Sequence, residues 1–245
     1  MAAADRAAAV TGAIPAATLI LLRDRAGALE VLMVERAAAM AFAGGAMVFP
    51  GGRIDPDDRA LALAMGDEAL APRLAAIRET IEEAGIAIGV AGEVAAMRAA
   101  LAEGQVLGAI GPVDPTPLVE YARWLPDRGV SRVFDTHFYV APCPIDAPEP
   151  VVDGTENRSA AWLRPGAVLA AADRGAASLL FPTRRVLERL AVQRDVAGVL
   201  ADAVRWPVRT ITPWVERRAD GDWLTIPDDL GYPVTAEPMA RTVRG

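Results

Sequence analysis

The chain has 245 residues, 53% of them apolar, and a formal net charge of −7. All 25 basic side chains are Arg, and there is one His (His137) and one Cys (Cys143). These counts exclude a Walker-type phosphate loop, a Schiff-base amine, a disulfide framework, a C-x-x-C pair and a multi-His metal site. The acidic balance argues against a general nucleic-acid binder. Carboxylates and arginines remain, a set suited to hard, oxygen-ligated cations.

The apolar opening, residues 1–22, is broken by Gly12 and Pro15 and followed by Arg23-Asp24-Arg25. It reads as a strand over 16–23 and not as a leader. No run reaches the ~18–20 apolar residues of a membrane span, so the expected location is cytoplasmic with no membrane partner. Residues 18–22 and 29–35 read as strands joined by a turn at 23–27. Residues 47–49 form a short strand closed by Pro50-Gly51-Gly52, and 53–59 a polar loop. A short helix is expected over 61–70. Pro72 suits the first turn of a helix running over 73–84 to Gly85. A strand is expected at 86–90, a helix at 93–103 and another at 118–124, ended by Pro126. Residues 133–140 read as a strand, 142–150 as a proline-rich loop, 160–163 as a strand and 166–172 as a helix. Helices follow at 183–192, with Thr183 as N-cap after Pro182, and at 195–205. Residues 210–215 and 223–226 pair as a late hairpin, and the tail from 228 is irregular. Strands and helices alternate without repeated βαβ units. That pattern predicts an α+β fold with a mixed sheet packed by helices on both faces.

The segment Arg78-Glu79-Thr80-Ile81-Glu82-Glu83-Ala84-Gly85-Ile86 carries the chemistry. On a helix, Glu79, Glu82 and Glu83 fall on one side. Like charges at this spacing cost roughly 0.2–0.5 kcal/mol per pair. Acids in a last turn oppose the helix dipole at about 0.3–1 kcal/mol each. A divalent cation reverses both penalties. The plainer reading is a solvated acidic face. The upstream Phe49-Pro50-Gly51-Gly52, with two glycines that permit close backbone approach, weighs against it.

Gly52, Arg78-Glu79, Glu82-Glu83 and Gly85-Ile86 together resemble the Nudix box, G-x5-E-x7-R-E-U-x-E-E-x-G-U, where U is a bulky aliphatic. The chain departs from it in three places. Asp58 stands at the first acidic position, residues 59–77 are twelve longer than the usual spacer, and Thr80 replaces the first bulky aliphatic. Trp124-Leu125-Pro126, Arg132-Val133-Phe134-Asp135-Thr136-His137-Phe138, Trp162 and Pro182-Thr183-Arg184-Arg185 are similar to a subgroup related to peroxisomal acyl-CoA diphosphatases. A coenzyme A motif upstream of the box is partly present as Arg36, Ala37, Gly45 and Phe49-Pro50-Gly51-Gly52. Its second Arg is missing, because that position is Ala41.

The resemblance implies a Nudix-type α/β/α sandwich over residues 14–205, with helical insertions near 59–73 and 89–117. Residues 206–245 would be a C-terminal extension packing on the domain. It implies Mg2+-dependent (or Mn2+-dependent) hydrolysis of a diphosphate linkage in a nucleoside-diphosphate-type small molecule, with coenzyme A or acyl-CoA ranked first. ADP-ribose or dinucleotide hydrolysis and a non-hydrolytic nucleotide-binding module are the alternatives. Glu79, Glu82 and Glu83 would be metal ligands, with Asp58 joining the shell. Glu82, Glu83, Arg78 and Glu156 would form the catalytic group, with Arg78 orienting a box glutamate and Glu156 an additional acid or base. Arg36 would meet substrate phosphate, and Gly51 and Gly52 would shape the turn beside the metal. A homodimer is common in the family. His137 reads as a satisfied strand histidine and Cys143 as an apolar residue.

Overall fold

The computed structural model describes residues 12–40, 43–126, 133–152 and 154–242. Residues 1–11 of the opening segment, Ala41 and Arg132 lie outside the described residues. The first hairpin joins β1 (Ile14–Arg25) to β2 (Ala28–Arg36). Its turn residues Ala26 and Gly27 both have positive φ, 50° and 72°, the geometry that matches strand twist in a two-residue hairpin. β3 (Met47–Val48) and β4 (Gly51–Arg53) follow. Gly51-Gly52 therefore belongs to a strand that pairs antiparallel with Ala16–Thr18 of β1, not to a turn that only closes one.

α1 (Pro56–Ala64) begins inside the segment expected to be a loop. The signal was Pro56 in the first turn with Asp58 accepting the backbone N–H of Asp55 at 2.9 Å. The remainder of the expected 61–70 helix is a single 3-10 turn at Glu68–Leu70. α2 (Ala71–Ala84) ends as expected at Gly85, whose φ of 64° and ψ of 33° place it in the left-handed region. The expected strand at 86–90 is reduced to one isolated bridge, Val90 to Val113. α3 (Val94–Ala102), capped by the Glu93 side chain, and α4 (Leu107–Ile110) complete this face.

The expected helix at 118–124 is instead β5 (Val119–Trp124). It pairs antiparallel with β6 (Phe134–Pro142), with a register shift between Glu120 and Ala122. Val119, Tyr121 and Trp124 favour a strand, and pairing with β6 outweighs the weak helical periodicity. β7 (Asn157–Leu163) pairs with β2, and α5 (Pro165–Asp173) follows. α6 (Phe181–Ala191) starts two residues before its expected cap. Leu180 is the N-cap and Thr183 lies buried inside the helix. α7 (Val196–Arg205) is capped by Asp195, which accepts from the Gly198 N–H at 2.8 Å.

The late hairpin is rearranged. β8 (Thr210–Ile211) runs parallel to β5 in the main sheet. β9 (Trp214–Arg218), β10 (Gly221–Thr225) and β11 (Ala236–Pro238) form a separate antiparallel sheet, so the tail is not wholly irregular.

β1 organises the main sheet. One edge pairs in parallel with β6; the other is shared by β4 and β2. Its alternating side chains serve two cores. Ala17, Leu19 and Leu21 pack in a cluster with Leu74, Ile77 and Ile81 of α2. Ile20 and Leu22 belong to a cluster with Val186 and Leu190 of α6 and Val199 of α7. Ile226, Leu230 and Tyr232 join that second core. The result is a mixed sheet between helical layers, an α+β sandwich. No helix among the described residues is long and apolar enough to cross a membrane.

Cys143 follows β6, and burial pushes its thiol up to about 11. Thiolate is therefore scarce near neutrality. Iodoacetamide should label the native protein at least about tenfold more slowly than a free cysteine. Mass spectrometry of a labelling time course measures this, and equal rates would contradict it.

Candidate active site

Two elements make the site. β4 carries Gly51 and Gly52 against α2, whose Glu79 and Glu83 meet them. The Gly51 N–H donates to Glu83 Oε2 at 2.9 Å. A Cβ at residue 52 would run into the Glu79 carboxylate. Glycine is therefore required here by close approach and not by an unusual φ.

Arg78 is the hub. Its Nη1 meets Glu79 Oε1 at 3.0 Å and Glu82 Oε2 at 2.8 Å. Its Nε and Nη2 grip Asp58 Oδ1 and Oδ2 at 3.1 and 2.9 Å, and Nη2 also donates to the Arg53 carbonyl at 2.9 Å. Burial disfavours the cation, but Asp58, Glu79 and Glu82 outweigh it and raise the Arg78 pKa. The long spacer thus folds as the end of α1, the 3-10 turn and the first half of α2, and returns Asp58 to Arg78. Asp58 is 3% exposed, and both its oxygens are engaged by Arg78.

Burial pushes the Glu79 carboxyl up to about 8 against the pull of Arg78, with Glu83 and Glu82 adding repulsion. Glu83 is also raised, first by burial. The Asn157 amide, the Gly51 N–H and Arg36 oppose that rise, and Glu156 adds to it. Arg36, the last residue of β2, places Nη1 3.9 Å from Glu83 Oε1 and Nη2 3.9 Å from Glu156 Oε2. Glu156 is exposed, but its carbonyl accepts the Ala37 N–H at 2.8 Å, which holds its loop beside Arg36.

The residues singled out from sequence therefore gather in two linked sets. Asp58, Arg78, Glu79 and Glu82 form one; Gly51, Glu83, Arg36 and Glu156 form the other. Gly52 lies between them against Glu79. Sequence reasoning missed Asn157 at the start of β7. It also missed Arg98, which donates from Nε to the Glu82 carbonyl at 2.9 Å and ties α3 to the end of α2. His137 lies outside both sets, with Nδ1 3.0 Å from Glu120 Oε1 on the neighbouring strand.

The donor chemistry fits a hard divalent cation, because it is carboxylate oxygen packed where a residue-52 side chain would otherwise sit. Among the described residues, no three acidic, His or Cys groups converge tightly enough to hold a metal as they stand. In this arrangement Glu79 and Glu82 share the Arg78 Nη1.

The NUDIX domain model matches residues 13–182. No curated protein matches the chain. The crystal structure of a NUDIX hydrolase from Alicyclobacillus acidocaldarius is similar at a TM-score of 0.70 and 28% identity, covering 79% of this chain and 97% of that one. The NUDIX domain of Shewanella oneidensis NrtR, solved with ADP ribose, aligns at a TM-score of 0.44 and 16% identity over 77% and 96% of the two chains. A C. elegans Ap4A hydrolase aligns at 0.40 and 18% over 71% and 92%. The match spans most of the chain and includes Gly52, Arg78 and the three glutamates. The chain therefore belongs to the Nudix hydrolase family.

Proposed function

We propose that the protein is a Mg2+-dependent hydrolase of the diphosphate linkage in a nucleoside-diphosphate-type small molecule, with coenzyme A or acyl-CoA as the first class to test. The observation that carries this reading is the packing of Glu79 and Glu83 of α2 against Gly52 and Gly51, with Glu82 joined to Glu79 through Arg78. The three glutamates would hold the cation. When bound, it would neutralise the diphosphate and acidify water at the site. Arg36 would bind a diphosphate oxygen through its Nη atoms. Glu156, which shares the Arg36 guanidinium with Glu83, would accept the proton from attacking water. Arg78 would hold Glu79 and Glu82 in place, and the Gly51 N–H would fix Glu83. Asp58 acts on this reading by holding Arg78 and not as a metal ligand. Residues 206–245 would be an extension of the one domain.

The coenzyme A assignment is supported by Arg36, Ala37, Gly45 and Phe49-Pro50-Gly51-Gly52. ADP-ribose or a dinucleotide is the second reading, favoured by Ala41 where the coenzyme A motif has its second Arg. Incubation with coenzyme A, acyl-CoA, ADP-ribose and dinucleotides, with and without Mg2+, tests both. Mg2+-dependent cleavage of coenzyme A at the highest kcat/KM supports the first; preference for ADP-ribose supports the second. No cleavage of any of them contradicts the whole reading.

Metal binding carries its own pH signature. Glu79 is raised when folded, so its contribution to cation-free stability is fully present below the ordinary carboxyl pKa. It is lost as pH rises towards about 8. A cation favours the charged form. Added Mg2+ should therefore raise Tm more near pH ~8 than near pH ~6. Scanning calorimetry measures this, and equal rises at both would contradict it.

A further inference from the structure

Asn157 is 1% exposed, yet neither its Nδ2 nor its Oδ1 has a hydrogen-bond partner among the described residues. Buried amides are nearly always satisfied, so two open positions on one side chain require a reason. The location supplies it. Asn157 is the cross-strand partner of Arg36, and the register between β2 and β7 shifts between Glu35 and Arg36. Such irregularities re-aim side chains. Here Arg36 reaches towards both Glu83 and Glu156, while its own Nε is also buried without a partner. The Asn157 amide is near enough to Glu83 to favour its charge, but it does not close a hydrogen bond. Only Oε2 of Glu83 is held by Gly51.

We propose that Asn157 is a positioning residue for Glu83. Its amide donates to the carboxylate once Glu83 turns towards the cation, and so aims it. This rests on the metal role of Glu83 proposed above. The polar atoms of Asn157 are buried, so it acts through Glu83 and does not touch substrate.

Asn157→Leu nearly keeps the volume and removes both open polar atoms. A structural Asn would lose stability on this change and leave turnover per folded molecule intact. The proposal expects the reverse. Tm stays level or rises, while Mn2+ affinity, read by electron paramagnetic resonance, and kcat each fall about tenfold or more. KM should move much less than kcat. In a Glu83→Gln background the substitution should add almost nothing, the mark of two residues acting as one unit. Asn157→Ser, run through the same cycle, decides the matter if the Leu variant does not fold. Parent-like Mn2+ affinity and kcat in the folded variants would overturn the inference while leaving the hydrolase reading intact. If the parent itself neither binds Mn2+ nor cleaves a diphosphate, the functional reading fails and this inference falls with it.

Discussion

Glu83→Gln is expected to lower kcat by about 100-fold or more while the protein stays folded. The amide keeps the shape of the carboxylate and can still accept the Gly51 N–H, now made to Glu83 Oε2 at 2.9 Å. What it loses is charge. Glu83 is buried close to Glu79 and Glu156, so folding alone does not benefit from its ionisation. Removing the charge should leave Tm unchanged or higher, which separates a functional loss from a structural one. Glu82→Gln should fall in the same direction. It also gives up one of the carboxylates that keep Arg78 in place. Steady-state kinetics on the best substrate, with melting curves for both variants, measure the effect. Full turnover in either variant would remove that residue from the proposed metal ligands.

Asp58→Ala is expected to destabilise the fold by about 3 kcal/mol, because it strips a two-pronged partner from a mostly buried guanidinium. In a chain of this size that corresponds to a fall in Tm of roughly 6–12 °C. The reasons are local. Asp58 takes Nε and Nη2 of Arg78 at 3.1 and 2.9 Å, and it also accepts the Asp55 N–H that opens α1. Without it, Arg78 keeps Glu79, Glu82, the Arg53 carbonyl and a longer contact to Asp55 at 3.6 Å, and the two glutamates that the proposed reading gives to a cation become its main charged partners. Activity should therefore fall beyond what the stability loss explains. Urea unfolding compared with the parent measures the cost. A loss below about 1 kcal/mol, the range of an exposed ion pair, would show that Asp58 does not anchor Arg78.

Much of the site was readable because it depends on short-range chemistry. The helix carrying the glutamates, its termination at Gly85 and the glycine at 52 that admits Glu79 follow from spacing and steric rules. The partner of Arg78 did not follow from spacing. Asp58 is twenty positions away, and only the reversal of the chain between α1 and α2 brings it back. Asn157 carried no sequence signal at all, since its importance comes from its place opposite Arg36. The same limit explains the fold-level misses. Val119–Trp124 has apolar spacing that suits a helix in isolation, and the long strand beside it decides otherwise. Thr183 has the chemistry of an N-cap, but α6 begins earlier because Phe181 and Val186 share one core. The C-terminal three-stranded sheet is held by pairings between short segments whose local pattern is weak.

The most direct test is hydrolysis of coenzyme A and ADP-ribose in 18O-labelled water by the parent protein, stripped of metal and then supplied with Mg2+. Mass spectrometry of the products follows the label. The account predicts cleavage at the diphosphate with a single 18O atom in one phosphate product, only when the divalent cation is restored. Cleavage at the same rate without a divalent cation, or label appearing anywhere but on phosphorus, would contradict it.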